Sequence, residues 1–253
     1  MAPTRIGLIV PSSNVTMETE LPQIFGRESG AFSFHSSRVR MRTVRRDELE
    51  AMNAQMDRAV EELADAGVDA LAYACLIALA VEGPGAHERA ERRLQERARA
   101  RGLSGPIVSS LGALLAELDR LSARRVALVA PYLPELTGAV ILYLKSCGVE
   151  VVDAVSLSVA NNLEVAALNP ARLPDHARQL NLARADAVVL SACVQMPSLS
   201  AIAEAERVTG LPVVTAASAT ALQLLRALGH EPRKVSAAST PPRLDAGPSS
   251  TSG

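Results

Sequence analysis

The chain repeats itself, and the repeat ends each time on a thiol. Asp69-Ala-Leu-Ala-Tyr-Ala-Cys75 reads against Asp186-Ala-Val-Val-Leu-Ser-Ala-Cys193, two short apolar runs that both finish at a cysteine. Upstream, Arg5-Ile-Gly-Leu-Ile-Val-Pro11 reads against Arg125-Val-Ala-Leu-Val-Ala-Pro131. Arg5 and Cys75 are 70 positions apart, Arg125 and Cys193 68. A third echo sets Gly105-Pro-Ile-Val-Ser-Ser110 beside Gly210-Leu-Pro-Val-Val-Thr215. Two related halves are expected, each presenting one thiol at the same topological place. Halves packed face to face would set the thiols opposite each other across a cleft.

Strand-length apolar runs are expected at 5–11, 31–35, 69–74, 106–109, 125–130, 149–155, 186–192 and 212–215, with helical patterns between them. Runs that are apolar throughout fit strands covered on both faces, as in parallel sheets. The spacing of Leu49, Met52, Met56, Val60 and Leu63 predicts one helix over 46–66. The Arg- and Glu-rich segment 86–101 predicts a helix with a solvated face. Pro134 and Gly148 bracket a helix over 134–147. The fold class is therefore α/β: two pseudosymmetric lobes, each a mostly parallel sheet flanked by helices, with the active site in the cleft between them. The first lobe is expected over 1–120 and the second over 121–235. The small, polar stretch 236–253 is expected to be a disordered tail.

The charge balance of −1 on 253 residues gives no strong field for nucleic acid or a membrane surface. No apolar stretch reaches membrane-spanning length. The N-terminus has no apolar signal core, and three cysteines make no disulfide framework, so a reducing cytoplasm is expected. Lys145 and Lys234 are the only lysines, which argues against Schiff-base chemistry. The histidines, His35, His87, His176 and His230, are scattered. There is no zinc spacing, Walker loop or dinucleotide fingerprint, so no metal or cofactor is expected. His87 is within reach of Cys75 in sequence but reads better as part of a surface turn.

In open α/β sheets, ligands bind beyond the carboxyl ends of the strands. Cys75 and Cys193 stand there. A single cysteine is as often a small buried apolar residue, but the same placement in both halves favours function. A helix opening after each thiol would aim the Leu76 and Val194 amides at one anion and give the thiol thiolate character. Cys147, at a helix end, reads as structural. Ser12, Ser13 and Asn14 follow the first strand, as helix caps, as a carboxylate cradle, or as both. Tyr132 occupies the matching turn of the second half. Asn161 and Asn162 follow the run 149–159 and by composition alone read as turn residues.

The stretches Arg5–Glu20 (with Pro11-Ser-Ser-Asn14), Phe34–Met41, Tyr73–Leu76, Val129–Tyr132, Asn162–Val165 and Leu190–Ser198 resemble the maleate cis–trans isomerases of the aspartate/glutamate racemase superfamily. The resemblance covers roughly residues 5–230. It implies two pseudosymmetric α/β lobes, no cofactor, a maleate or fumarate dicarboxylate as ligand, and a homodimer. It also implies that Cys75 is the nucleophile, Cys193 its partner, and that Asn14, Tyr132 and Asn162 hold the carboxylates. The chain departs from the pattern at Leu111, where alanine is usual, and at Leu222, often aromatic. After Gly229 the usual apolar, Gly-rich ending is missing.

Isomerisation of this kind needs a thiolate to add to the alkene, a rotation, and elimination. Two other readings are an amino-acid racemase, which uses the paired thiols as opposed acid and base, and a malonate-type decarboxylase, which needs one thiol and an oxyanion pocket where Cys75 stands. A two-lobed acid-binding module without chemistry leaves the paired strand-end thiols unexplained.

Overall fold

The sequence repeat becomes two sheets with the same strand order. The computed structural model describes residues 2–233 and 235; the expected tail 236–253 lies outside the described residues. The first half contains β1 (Thr4–Pro11), α1 (Thr16–Phe25), β2 (Phe32–Val39), α2 (Arg46–Asn53), α3 (Met56–Asp65), β3 (Ala70–Tyr73), α4 (Leu76–Ala80), α5 (Ala86–Ala100), β4 (Ile107–Ser109) and α6 (Ser110–Arg120). The second contains β5 (Arg125–Ala130), α7 (Pro134–Ser146), β6 (Glu150–Ser156), α8 (Asn162–Ala166), α9 (Leu173–Arg178), β7 (Ala187–Ser191), α10 (Ile202–Thr209), β8 (Val213–Thr215) and α11 (Ala216–Ala227). The four-stranded sheets run β2-β1-β3-β4 and β6-β5-β7-β8, and every pairing is parallel. The central strands β1, β3, β5 and β7 are buried nearly throughout, which is why they read as unbroken apolar runs.

The repeated Arg and Asp have a shared structural task. The Arg5 N–H donates to Asp69 Oδ2 (2.7 Å), and the Asp69 N–H donates back to the Arg5 carbonyl (2.8 Å). Arg125 and Asp186 make the same exchange at 2.9 and 2.7 Å. In the second half the Arg125 side chain also bonds Asp186, and this holds the carboxyl down at about 2. Each pair fixes the entry of β1 against β3 or of β5 against β7, and so sets the register that carries the following thiol to the opposite sheet edge.

The lobes meet through α6 and α11, the helices that come after the third echo. They pack against each other, and each also reaches the other lobe's sheet, α6 onto β8 and α11 onto β3 and β4. Both are capped by the last residue of their strand: Ser109 Oγ accepts the Gly112 N–H (3.0 Å), and Thr215 Oγ1 accepts the Ser218 N–H (3.1 Å). The buried Glu117 of α6 pairs with Arg226 of α11 at 2.7 Å across this seam. Leu111 and Leu222 are buried on the same two helices.

Three expectations are corrected. The pattern over 46–66 is two helices, broken at Ala54–Gln55. The apolar stripe continues through the break, but α2 packs on α4 whereas α3 packs on α5, β1 and β2, so one straight rod does not serve both. Strand β2 runs four residues beyond 35, to Val39. It is a sheet edge, and its second half alternates exposed and buried positions, with Ser36 and Arg38 outward. Finally, no helix opens after Cys193. An irregular turn leads to a single 3-10 turn at Leu199–Ala201. Pro197 disfavours helical backbone at Met196 and supplies no N–H, so the helix after Cys75 has no counterpart here.

Candidate active site

The identical strand orders bring both thiols to one place. Cys75 and Cys193 line a single cavity together with Pro11, Asn14, Met41, Val44, Leu76, Ile77, Tyr132, Asn162, Val194 and Gln195. Seven of the expected site residues therefore converge: Cys75, Cys193, Asn14, Tyr132, Asn162, Leu76 and Val194. Ser12 and Ser13 lie just outside, in a wider cleft of about 630 Å³ that also contains Met41, Arg42, Thr43, Ala160, Asn161 and Leu163.

The inner cavity is nearly shut, with a volume of about 10 Å³, room for about one water. Its cover comes from the loops after β2 and β6, which are equivalent in the two halves. Thr43 bridges Asn161, and the Val44 N–H reaches the Ala160 carbonyl at 3.4 Å. Asn162 Nδ2 donates to Ser13 Oγ (2.6 Å), and Gln195 Nε2 donates to the same oxygen (3.2 Å) and to the Asn162 carbonyl. Ser12 Oγ exchanges hydrogen bonds with the backbone of Met41, at 3.1 and 3.2 Å. Ser12 and Ser13 thus tie the covering loops to the first lobe.

Each lining group has a local cause. Asn14 sits in a turn closed by its own N–H on the Pro11 carbonyl (2.8 Å), and its Oδ1 accepts the Met17 N–H of α1 (3.1 Å). This cap leaves Nδ2 buried without a partner, a free donor on a residue that lines the cavity. Asn161 caps α8, so Asn162 becomes its first residue and is buried. The Tyr132 hydroxyl donates to the Ala192 carbonyl at 3.0 Å and lies beside Cys193, whose Sγ also accepts the Gln195 N–H at 3.4 Å.

No Lys, Arg or His lines the cavity among the described residues. Anions in it must be met by neutral donors. Cys75 is 3% and Cys193 5% exposed. Burial pushes Cys75 up to about 12, against the Ala78 N–H that favours the thiolate; the neighbouring Cys193 adds to the rise. Burial likewise raises Cys193, against the Tyr132 hydroxyl and the Gln195 and Met196 N–H groups. At both thiols burial opposes the thiolate, and the neighbouring N–H groups of Ala78, Gln195 and Met196 favour it.

Gln195 was not singled out from the sequence, though a polar residue two positions past a strand-end thiol is a usable signal. It is 2% exposed, and its Oε1 is an unpartnered acceptor. Met41, Val44 and Ile77 carry no polar signal and were likewise missed. His87 does not approach the cavity. It lies on α5, with Nδ1 2.7 Å from the Tyr143 hydroxyl of α7. Cys147, Leu111 and Leu222 are not among the lining residues either.

The sequence profile of the arylmalonate decarboxylase family matches residues 6–240. The maleate isomerase of Geobacillus stearothermophilus is 47% identical over 229 residues, 88% of this chain and 91% of the relative. That of Pseudomonas putida is 48% identical over 232 residues, 90% of this chain and 93% of the relative. A solved maleate cis–trans isomerase of Nocardia farcinica superposes with a TM-score of 0.87 at 48% identity, covering 89% of this chain and 93% of the other. That structure is a cysteine-to-serine variant holding a covalently bound succinylcysteine intermediate. Arylmalonate decarboxylase itself shares the fold, with a TM-score of 0.74 at 20% identity. Its profile spans nearly the whole chain, and the isomerases share close to half of the residues, so the chain belongs to the maleate isomerase family.

Proposed function

We propose that this protein converts maleate to fumarate without a cofactor, by reversible addition of Cys75 to the alkene. The observation that carries the reading is the pair of thiols from equivalent strand ends, buried in one cavity lined by neutral side chains. Rotation about a carbon–carbon double bond needs its π character removed. The Cys75 thiol gives up its proton to solvent as the substrate enters, and Cys75 Sγ then bonds to one alkene carbon. The π pair moves to the other carbon and spreads onto its carboxylate as an enediolate. The bond between the two carbons is then single and rotates. Elimination breaks the S–C bond, restores the alkene and releases the trans isomer.

Asn14 Nδ2, unpartnered and buried, is a donor for a substrate carboxylate. Tyr132, Asn162 and the Leu76 and Val194 amides complete the donor set for the developing charge. Cys193 orients the substrate or exchanges a proton at the second carbon. Ser12 and Ser13 support the cradle through the covering loops. A cavity of about 10 Å³ does not hold a dicarboxylate, so these loops part for entry and close for reaction, excluding water that would quench the enediolate.

We assign residues 1–120 and 121–235 to the two lobes, and a reducing cytoplasm to the free thiols. A homodimer accords with Leu142 standing 69% exposed on α7, the helix that packs on the edge strand β6 with its half-buried Val151, Val152 and Val155. Light scattering coupled to size exclusion should give twice the chain mass, and a monomer would remove this assignment.

Proton NMR of maleate with the purified protein tests the function. The maleate vinyl signal should be replaced by that of fumarate without any added cofactor. No conversion, together with solvent deuterium appearing at the α-carbon of aspartate or glutamate, would establish the racemase instead.

A further inference from the structure

The two thiols are positioned by different means, although the repeat would make them equivalent. Cys75 leads directly into α4, a helix packed by α2, α5 and α6 of its own lobe and by α7 of the other. Cys193 leads into an irregular turn with no helix of its own until Leu199. The turn is held from the other lobe, by α1. Thr16 Oγ1 donates to the Gln195 carbonyl at 2.6 Å. One turn further along α1, Glu20 Oε1 accepts the Ser198 N–H at 2.6 Å and the Leu199 N–H at 2.8 Å, while Oε2 accepts from Ser198 Oγ at 3.4 Å. Glu20 is a charged-type residue 6% exposed, at a position where an apolar one would pack. A buried carboxyl is retained at a cost, and the catalytic cavity does not include it.

We propose that Glu20, assisted by Thr16, is the positioning residue for Cys193: α1 of the first lobe clasps the 195–199 turn of the second and thereby sets the second thiol. Between Cys193 and the clasp the turn is braced by Ser191 Oγ on the Cys193 carbonyl (2.7 Å), by the Gln195 N–H on Cys193 Sγ (3.4 Å), and by Gln195 Nε2 on Ser13 Oγ (3.2 Å) and on the Asn162 carbonyl. The same α1 begins at the Asn14 turn. One helix therefore links the alignment of the lobes, a carboxylate donor and the second thiol. The position of Cys193 thus depends on the register of the lobes, through the side-chain hydrogen bonds that α1 makes to the turn.

This inference rests on the isomerase reading, and its test separates the two. A displaced Cys193 leaves the first half of the reaction, addition by Cys75, intact and impairs the later steps. The readout is the fraction of enzyme carrying the mass of one maleic acid on Cys75 when turnover is acid-quenched, measured beside kcat and the melting temperature. In Glu20→Ala, kcat should fall by about tenfold to a hundredfold, as misplacement of a reacting group by a fraction of an ångström to one ångström does, and the adduct fraction should rise above wild type. Glu20→Gln keeps an acceptor for the two N–H groups and should restore most of kcat and the wild-type adduct level. Thr16→Val, which leaves the carboxyl in place, should move both readouts in the same direction by less, and it decides the matter if Glu20→Ala does not fold. A folded variant with lowered kcat and an unchanged adduct fraction overturns the proposal, as does an unchanged kcat in Glu20→Ala. Absence of maleate turnover in the wild type overturns the function reading and this inference together.

Discussion

The Cys75 thiol should be protonated across the whole physiological range in the ligand-free enzyme. Burial raises it from the ordinary 9.0 to about 12, which corresponds to about 4 kcal/mol against the thiolate. At pH 8 only about one Cys75 in ten thousand would then be ionised, roughly a thousandfold fewer than for a free thiol. The perturbation is pH, and the control is Cys75→Ala. The ultraviolet thiolate absorbance of wild type minus variant should stay flat from pH 7 to 10. Stability should report the same proton. The unfolded chain releases it near 9 and the folded chain holds it to about 12, so stability falls as pH rises through that window. The slope is about 1.4 kcal/mol per pH unit. Between pH 9 and 10 the wild type should therefore lose about 1 kcal/mol more than Cys75→Ala in denaturant unfolding. A thiolate signal with a midpoint below 9, or equal pH slopes for the two proteins, would refute the claim that desolvation governs this site. If it holds, ionisation of Cys75 is coupled to the ligand-bound, closed state rather than stored in the resting enzyme.

Asn14→Ala removes a buried donor and the cap on the Met17 N–H, and kcat/KM for maleate should fall by about ten- to a hundredfold, read in the NMR assay with far-ultraviolet circular dichroism as a folding control. Gly105→Ala should be destabilising by about 3 kcal/mol, measured in urea, because a Cβ there would stand 1.7 Å from the Asp69 carbonyl oxygen; an unchanged midpoint would mean that the approach of these two backbones is looser than described.

Much of the fold was legible because parallel strands buried on both faces leave an unambiguous trace. Ile6 to Val10, Ala70 to Tyr73, Val126 to Ala130 and Ala187 to Leu190 are buried and read as such. The edge strand β2 left a weaker trace, since His35, Ser36 and Arg38 interrupt the apolar run while the backbone continues its ladder to Val39. The break at Ala54–Gln55 was hidden because both helices bury the same stripe. It depends on which neighbours each helix meets, and a single sequence does not state that. The thiols were legible from the repeat, and Asn14 from its place after β1. Gln195 and Glu20 were not, because their roles come from contacts across the lobes, 182 positions away for Gln195 with Ser13 and 178 for Glu20 with Ser198. The burial that opposes the thiolate was hidden for a related reason: local amides are visible in the sequence, whereas the depth at which a strand end is covered is not.

The mechanism stands or falls on a bond between Cys75 and the substrate. Intact-mass spectrometry and peptide mapping of the Cys193→Ser variant, quenched during incubation with maleate, detect that bond. The expected result is the mass of one maleic acid added to the protein, mapped to the peptide containing Cys75, absent from Cys75→Ser and absent when succinate replaces maleate. Maleate turnover by a Cys75→Ala protein, or a label carried by Cys193 alone in the wild type, would contradict it.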